Sequence, residues 1–366
     1  MIKETFLMKA QKSLYCYLFI LTLSIVMSMS GCNSKESIPD VSKINIGLKT
    51  YRFDLDLYAI DTNHIADGLK QLLVKYPDFL NYYLDTVRAY GIHGNYNDTV
   101  KGIREDLKTD LTYKDFTNLE DTIKKYYPDN KDIDQALTNG FSFFKYYLPD
   151  GIVPRIIYLD MGLSKWATFP VDNNTLCVGL DMFLGPQFPY YRSIGVPDYL
   201  DAHFRRSYIP VSVFSTIYRS VHPFNTDDKT LLDLMIQRGK EQYFLHKILP
   251  QTADSVLFGF KQLQIDWCNE NEALVYNYFI RQNLLYNKEP QNVMPYINDG
   301  PFAKGLEAPN DPVKFTPGNI GEWLGYKIVC NYMLQHPKTT LQELLNEPID
   351  AARFLDEAKY RPKDNH

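Results

Sequence analysis

The side chains with chemical reach in this chain are its histidines, its cysteines and its closely spaced acids, and their spacing decides which chemistries are open. The histidines are His64, His93, His203, His222, His246, His336 and His366. No two of them stand four apart on a predicted helix, so the HExxH motif, two imidazoles on one helical face with a general-base glutamate beside them, is missing. No cysteine pair has zinc-ligand spacing. A GxSxG nucleophile elbow, a GxGxxG dinucleotide loop and a phosphate-cradling P-loop are missing too. Acid pairs stand at Asp54/Asp56 and Glu270/Glu272, but surface acids at that spacing are common, and the solvated-face reading outweighs shared acid and base roles. Cys177, Cys268 and Cys330 are odd in number, which excludes a disulfide framework and reads as small buried hydrophobes. No catalytic residue, metal ligand or cofactor follows from these motifs. The remaining candidate is Cys32, because of what precedes it.

Residues 1–12 carry Lys3, Lys9 and Lys12 against the single acid Glu4; residues 13–30 read SLYCYLFILTLSIVMSMS, without a charge, and Gly31-Cys32 follows at once. A basic start, an apolar run and a small residue before cysteine resemble a bacterial lipoprotein signal. The resemblance implies that residues 1–31 are a signal peptide and that Cys32 is the lipid attachment site, its thiol carrying diacylglycerol and its new amino terminus an acyl chain such as palmitate. In the tetrad Met29-Ser30-Gly31-Cys32, Met29 stands where Leu is usual. The alternative is a transmembrane anchor, since a run of this length just spans a bilayer. Acyl chains anchor by burying methylenes at about 0.8 kcal/mol each, and several chains on one cysteine hold stably. Residues 32–43 read as a polar tether, and the expected location is the cell envelope, lipid-anchored, at the outer membrane.

The body must position whatever function remains. Of 366 residues, 45% are hydrophobic and 23% charged, with a net charge of -5; disorder is excluded, and no basic surplus exists from which to build a nucleic-acid site. The 28 Tyr and 21 Phe against three Trp point to an aromatic-rich core or groove. Phe53, Leu55 and Leu57 alternate with Arg52, Asp54 and Asp56, which predicts a strand opening the domain. Helical spacing follows at 63–76, after Pro77 on Phe79, Tyr83 and Val87, and at 100–107, 118–126 and 131–147. Residues 153–159 read as a strand, and 167–171 with 175–180 as a hairpin around Asn173-Asn174. Helices are predicted again at 198–206, 211–221, 230–247, 266–283 and 319–335. A proline-rich span of about thirty residues lies between the last two, a length at which a loop is seldom idle; a lid, a partner surface and a packed wrap are all open. Gly321 and Gly325, one turn apart, predict close approach of a second helix.

Three stretches together resemble one family. Tyr51 to Asp61 (YRFDLDLYAID) with Tyr76-Pro77-Asp78-Phe79-Leu80 is similar to the opening of the GldB-type gliding-motility lipoproteins of the Bacteroidetes. Thr175 to Gly185 (TLCVGLDMFLG) with Tyr190-Tyr191 resembles their middle. Leu231 to Ile236, Gly239 to Phe244 and Pro317 to Val329 resemble their C-terminal half. The match implies a single GldB-like domain over 44–360 and a flexible tail at 361–366.

That family is in turn similar to predicted zinc peptidases, in which a helix bearing HExxH precedes a helix bearing an acidic ligand. The resemblance places those positions on 216–220 and on Arg238. Thr216 and Ser220 stand where imidazoles should, Ile217 where the general base should, and Arg238 where a carboxylate should. Phe214, Ile217, Tyr218 and Val221 form an apolar stripe that would keep the helix buried, with Thr216 and Ser220 as a polar strip on another face. Arg238 is expected to place its charge near the vacated metal position. The fold class implied is mostly α (α+β), a helical zincin-like domain with a small mixed or antiparallel sheet. The function implied is a non-catalytic, lipid-anchored envelope component without cofactor, partnered by the membrane and an envelope protein complex and not by nucleic acid. The alternatives are an envelope metallopeptidase-like hydrolase with unrecognised ligands and a small-ligand or glycan-binding lipoprotein.

Overall fold

The structure, a computed structural model, describes residues 37–164, 167–306 and 316–362. The expected signal peptide, Cys32, residues 33–36 of the expected tether and residues 363–366 lie outside the described residues. The chain divides into two units, residues 1–40 and 41–366, and the fold is that of the second.

The opening strand is shorter than its sequence pattern predicts. β1 spans only Thr50–Arg52, and a helix, α1, takes over at Phe53–Tyr58. The buried residues there are Phe53, Asp54 and Leu57, a spacing that shares a helical face. Six alternating residues fit either period, and two tertiary contacts decide between them. Pairing with the neighbouring strand β2, Arg155–Leu159, stops at Arg52 opposite Tyr158, and the Arg52 guanidinium grips buried Asp54 at 2.6 Å.

The hairpin is where the sequence places it: β3, Thr168–Asp172, runs antiparallel to β4, Thr175–Gly179, with an irregularity between Pro170 and Asp172. The sheet order is β1-β2-β4-β3, with β1, β2 and β4 parallel, so the sheet is mixed. Pro170 fits because β3 is an edge strand, where a missing N–H breaks no ladder. Both faces of the sheet are covered. Ile156, Tyr158, Leu176 and Val178 point into the larger core, while Ile157, Leu159, Phe169 and Cys177 point into a smaller one built from residues 53–111. Strands buried on both faces read as continuous apolar runs, which RIIYL and TLCVG do.

The rest is helical. α2 is Ile65–Lys75, α3 Lys114–Tyr126 and α4 Lys131–Tyr147. Asp134 of α4 accepts from Thr50 at 3.1 Å and from Tyr158 at 2.8 Å, which ties the helix to two strands. α5 is Ile209–Val221, with Pro210 in its first turn where no N–H is needed. α6 is Leu231–Ile248, started by a capping box of Thr230 and Asp233. The helix predicted at 266–283 is two, α7 at Gln262–Glu270 and α8 at Glu272–Arg281, parted at Asn271. α9 is Ile320–Gln335, followed by α10, Leu341–Asn346, and α11, Ala351–Ala358. Three predicted α-helices wind differently: residues 83–87 and 102–107 are π-turns, and 198–204 is a 3-10 turn. The proline-rich span is a packed wrap where it is described, with Val293, Tyr296, Ile297, Ala303 and Leu306 buried.

α6 and α9 cross at backbone contact. A Cβ added at Gly239 would fall on the carbonyl of Gly325, and one at Gly325 on the carbonyl of Met235. Beside this contact Trp323 is 1% exposed. Gly325→Ala is therefore expected to cost about 2–3 kcal/mol, since overpacking cannot be relieved by moving a side chain. Gly47, with nothing near its Cβ position, should tolerate alanine within about 0.5 kcal/mol. Urea denaturation of both variants checks this, and equal midpoints would refute the close crossing.

Candidate functional site

α5 carries two faces of different chemistry. Ile209, Val213, Phe214 and Tyr218 are buried. The apolar stripe is narrower than its spacing predicts: Ile217 is half-buried and Val221, the last helical residue, is 68% exposed. The polar face is Ser212, Ser215, Thr216 and Arg219, at i, i+3, i+4 and i+7, and it lines a cleft of about 570 Å³. Thr168 of β3 borders the same cleft, as do His203, Tyr208 and Asp299 from the connections.

Thr216 is drawn into a hydroxyl knot. Its Oγ1 donates to the Ser212 carbonyl at 2.8 Å and lies 2.7 Å from Thr168 Oγ1, which also meets Ser212 Oγ at 2.7 Å. This knot fastens α5 to the edge strand. Ser220 instead turns back on its own helix, donating to the Ile217 carbonyl at 2.7 Å from an exposed position. The predicted polar pair is thus split, with Thr216 joining Ser212 and Arg219.

Arg238 of α6 is 16% exposed and does not line the cleft. It meets the buried Glu241 at 3.3 Å and lies over the Phe224 ring at 4.1 Å. The guanidinium at the cleft belongs to Arg219, 2.7 Å from the other oxygen of Glu241. Behind Glu241 stands Glu322 of α9, which accepts from Gln242 and, at 3.2 Å, from Asn319. Burial pushes the Glu322 carboxyl up to about 7, against the pull of Arg238. In the same cleft the His203 ring stacks on Tyr208 with centroids 4.7 Å apart. It packs so tightly on Gly259, where φ is +66°, that a Cβ there would fall on the imidazole. Burial lowers the His203 pKa, and Asp299 opposes that shift.

The donor set does not fit zinc. The four positions that the peptidase comparison singles out hold two hydroxyls, an alkyl chain and a cation, where zinc takes neutral imidazole or anionic ligands. Among the described residues no three His, Cys, Asp or Glu side chains stand together as a metal-binding group.

A second polar concentration lies at the carboxyl ends of the parallel strands. Asp54 follows β1, Asp160 follows β2 and Asp181 follows β4, all buried. Asp181 accepts from the Met161 and Leu163 N–H groups at 3.1 and 2.7 Å, and Asp160 from Gly162 at 2.8 Å. Glu120 of α3 is 1% exposed, its carboxylate oxygens accept no hydrogen bond, and Lys124 stands 3.5 Å away. Burial, reinforced by the charge of Asp54, pushes Glu120 up to about 7.

Sequence reasoning missed Arg219, His203, Tyr208 and Asp299. The signal for Arg219 was present, because serine, serine, threonine and arginine recur at helical spacing from 212 to 219. Asp299 carried none; its proline-rich segment brings it to the cleft only by wrapping.

A mixed sheet between two apolar layers, with a polar cleft where its edge strand meets a helix, defines an α+β protein. The chain belongs to the gliding motility protein GldB family, whose sequence profile matches residues 34–362. No curated protein and no solved structure matches it at a significant level.

Glu120 yields a pH prediction. A carboxyl whose folded-state pKa is raised stabilises the fold below its unfolded value of 4.5 and loses that contribution as pH rises through about 7. Glu120→Gln should therefore change stability little at pH 5 and raise it at pH 8, by on the order of 1–3 kcal/mol. Urea denaturation at the two pH values checks it; the same difference at both would mean that the carboxyl does not titrate in this window.

Proposed function

We propose that this chain is a lipid-anchored, non-catalytic component of the cell envelope, serving gliding motility or the secretion machinery that accompanies it. Cys32 carries the acyl chains, the tether sets the domain off from the outer membrane, and the domain engages an envelope protein complex. The scaffold is zincin-like with its metal chemistry lost. The observation that carries this reading is the fate of α5: Thr216 spends its hydroxyl on Thr168 and Ser212, Ile217 packs against the core, and Ser220 bonds its own helix. These side chains act as fasteners. Membership of the gliding motility family supports the envelope role. Among the described residues no helix is long and apolar enough to cross a membrane.

One observation favours the hydrolase reading. His203 and Asp299 share the cleft with the hydroxyls of Ser215 and Thr216, residue types that serve as base and nucleophile when they touch. His203, however, stacks on Tyr208.

Cys32→Ala should move the chain from the membrane to the soluble fraction, because two or more acyl chains are what makes anchoring stable. The anchored chain, affinity-purified from its native membranes, should bring down a reproducible envelope protein that the Cys32→Ala chain recovers poorly. Retention of Cys32→Ala in the membrane would overturn the anchor. Peptide hydrolysis by the purified chain, abolished by His203→Ala, would overturn the non-catalytic reading.

A further inference from the structure

The cleft beside α5 is furnished with hydrogen-bond donors that have no acceptor. Arg219 is held from behind, its guanidinium 2.7 Å from buried Glu241, while 51% of its side-chain surface is open. Glu241 meets Arg219 with one oxygen and Arg238 with the other. One turn back on the same helical face stands Ser215, and Tyr208, the residue just before the helix, lines the same cleft two turns further back. Among the described residues neither the Ser215 hydroxyl nor the Tyr208 phenol makes a hydrogen bond, and neither has an interaction left unstated. Neither hydroxyl is among the buried polar atoms left without a partner; both open on the cleft, where a ligand acceptor can replace water.

The charges around this donor set define the acceptor. Burial keeps His203 neutral at neutral pH, and Asp299 lines the same cleft. The cleft lining therefore carries one fixed positive charge, Arg219, met from behind by Glu241, and one negative charge, Asp299. A phosphate dianion would be under-compensated by Arg219 and repelled by Asp299. A carboxylate carries a single charge, is planar, and matches the two-pronged guanidinium fork. Asp299 can then accept from an N–H on the same ligand. The cleft, at about 570 Å³, lies within the size range of small-ligand sites, and Phe169, Phe183 and Phe204 give it apolar walls for a short side chain.

We propose that this cleft binds a short peptide-like ligand by its free carboxylate, which seats on Arg219 and accepts from Ser215 and Tyr208 while an amide or amine N–H of the ligand turns to Asp299. Neither the lipid anchor nor family membership implies this site. It is tested by binding alone, so a failure of the envelope role leaves it standing and the reverse also holds.

The experiment is calorimetric titration of the full chain in detergent micelles with N-acetyl-alanyl-alanine, with the same dipeptide as its carboxyl-terminal amide, and with inorganic phosphate. The free acid should bind and the amide should bind at least about tenfold more weakly, the scale of a lost charge-assisted bond. Phosphate should not displace the acid. Arg219→Gln should weaken the acid by roughly tenfold or more. That variant also strips a partner from buried Glu241, so Ser215→Ala and Tyr208→Phe serve as the second test. Each should weaken the acid by about three- to tenfold at an unchanged melting temperature. Equal binding of acid and amide, displacement by phosphate, wild-type affinity in both hydroxyl variants, or no binding of the acid at about 10 mM, a concentration above any useful affinity, would each overturn the proposal.

Discussion

The backbone contact of Gly239 with Gly325 is the constraint on which the rest of this molecule hangs. With no side chain between them, α6 and α9 approach closely enough that Glu241 and Gln242 of one and Glu322 of the other share a single buried polar layer. Burying acids is costly unless cations and donors meet them. Arg219, Arg238, Gln242 and Asn319 fill that role. The arrangement links the core to the surface, because the guanidinium that answers Glu241 from α5 also faces the cleft. A wider helix crossing would separate the acids and leave Arg219 as an ordinary solvated cation.

The sheet supplies the other half of the frame. Its central strands send alternate residues into two different cores, so sliding either strand by one residue would reverse both at once. One of the two edge strands is β3, and it is there, through Thr168, that the hydroxyl knot fastens α5. Asp54, Asp160 and Asp181 gather where the parallel strands end. Backbone N–H groups meet Asp160 and Asp181, and Arg52 meets Asp54, whereas Glu120 has only a distant lysine. That difference makes Glu120 the weakest member of the cluster.

The functional reading follows from how α5 uses its polar residues. A helix presenting a metal would aim imidazoles from one face into a cavity. Here the equivalent positions bind strand, core and helix. The cleft beside them is lined by a guanidinium, a serine, a tyrosine and an acid. Such a set can recognise a polar ligand, which is the role proposed for it here.

Local pattern determined much of this protein. The hairpin around Asn173-Asn174, the helices at 131–147 and 319–335, and the small-residue contact of α9 are all legible because each follows from a short-range rule of turn chemistry, periodicity or side-chain size. Family membership was legible too, since it rests on the order of motifs and not on their packing. The helix at Phe53–Tyr58 was not, because six alternating residues satisfy both periods and only pairing with β2 and the Arg52–Asp54 grip choose. Nor could the sequence say that Glu241 and Gln242, charged and polar within a helix, point inward; that depends on how closely α9 approaches. Of the cleft, Thr216 alone among the residues singled out in advance contributes a wall. Its other polar members come from separate segments, 203–208, 212–219 and 299, and convergence of distant segments is a property of the folded core that no local spacing encodes.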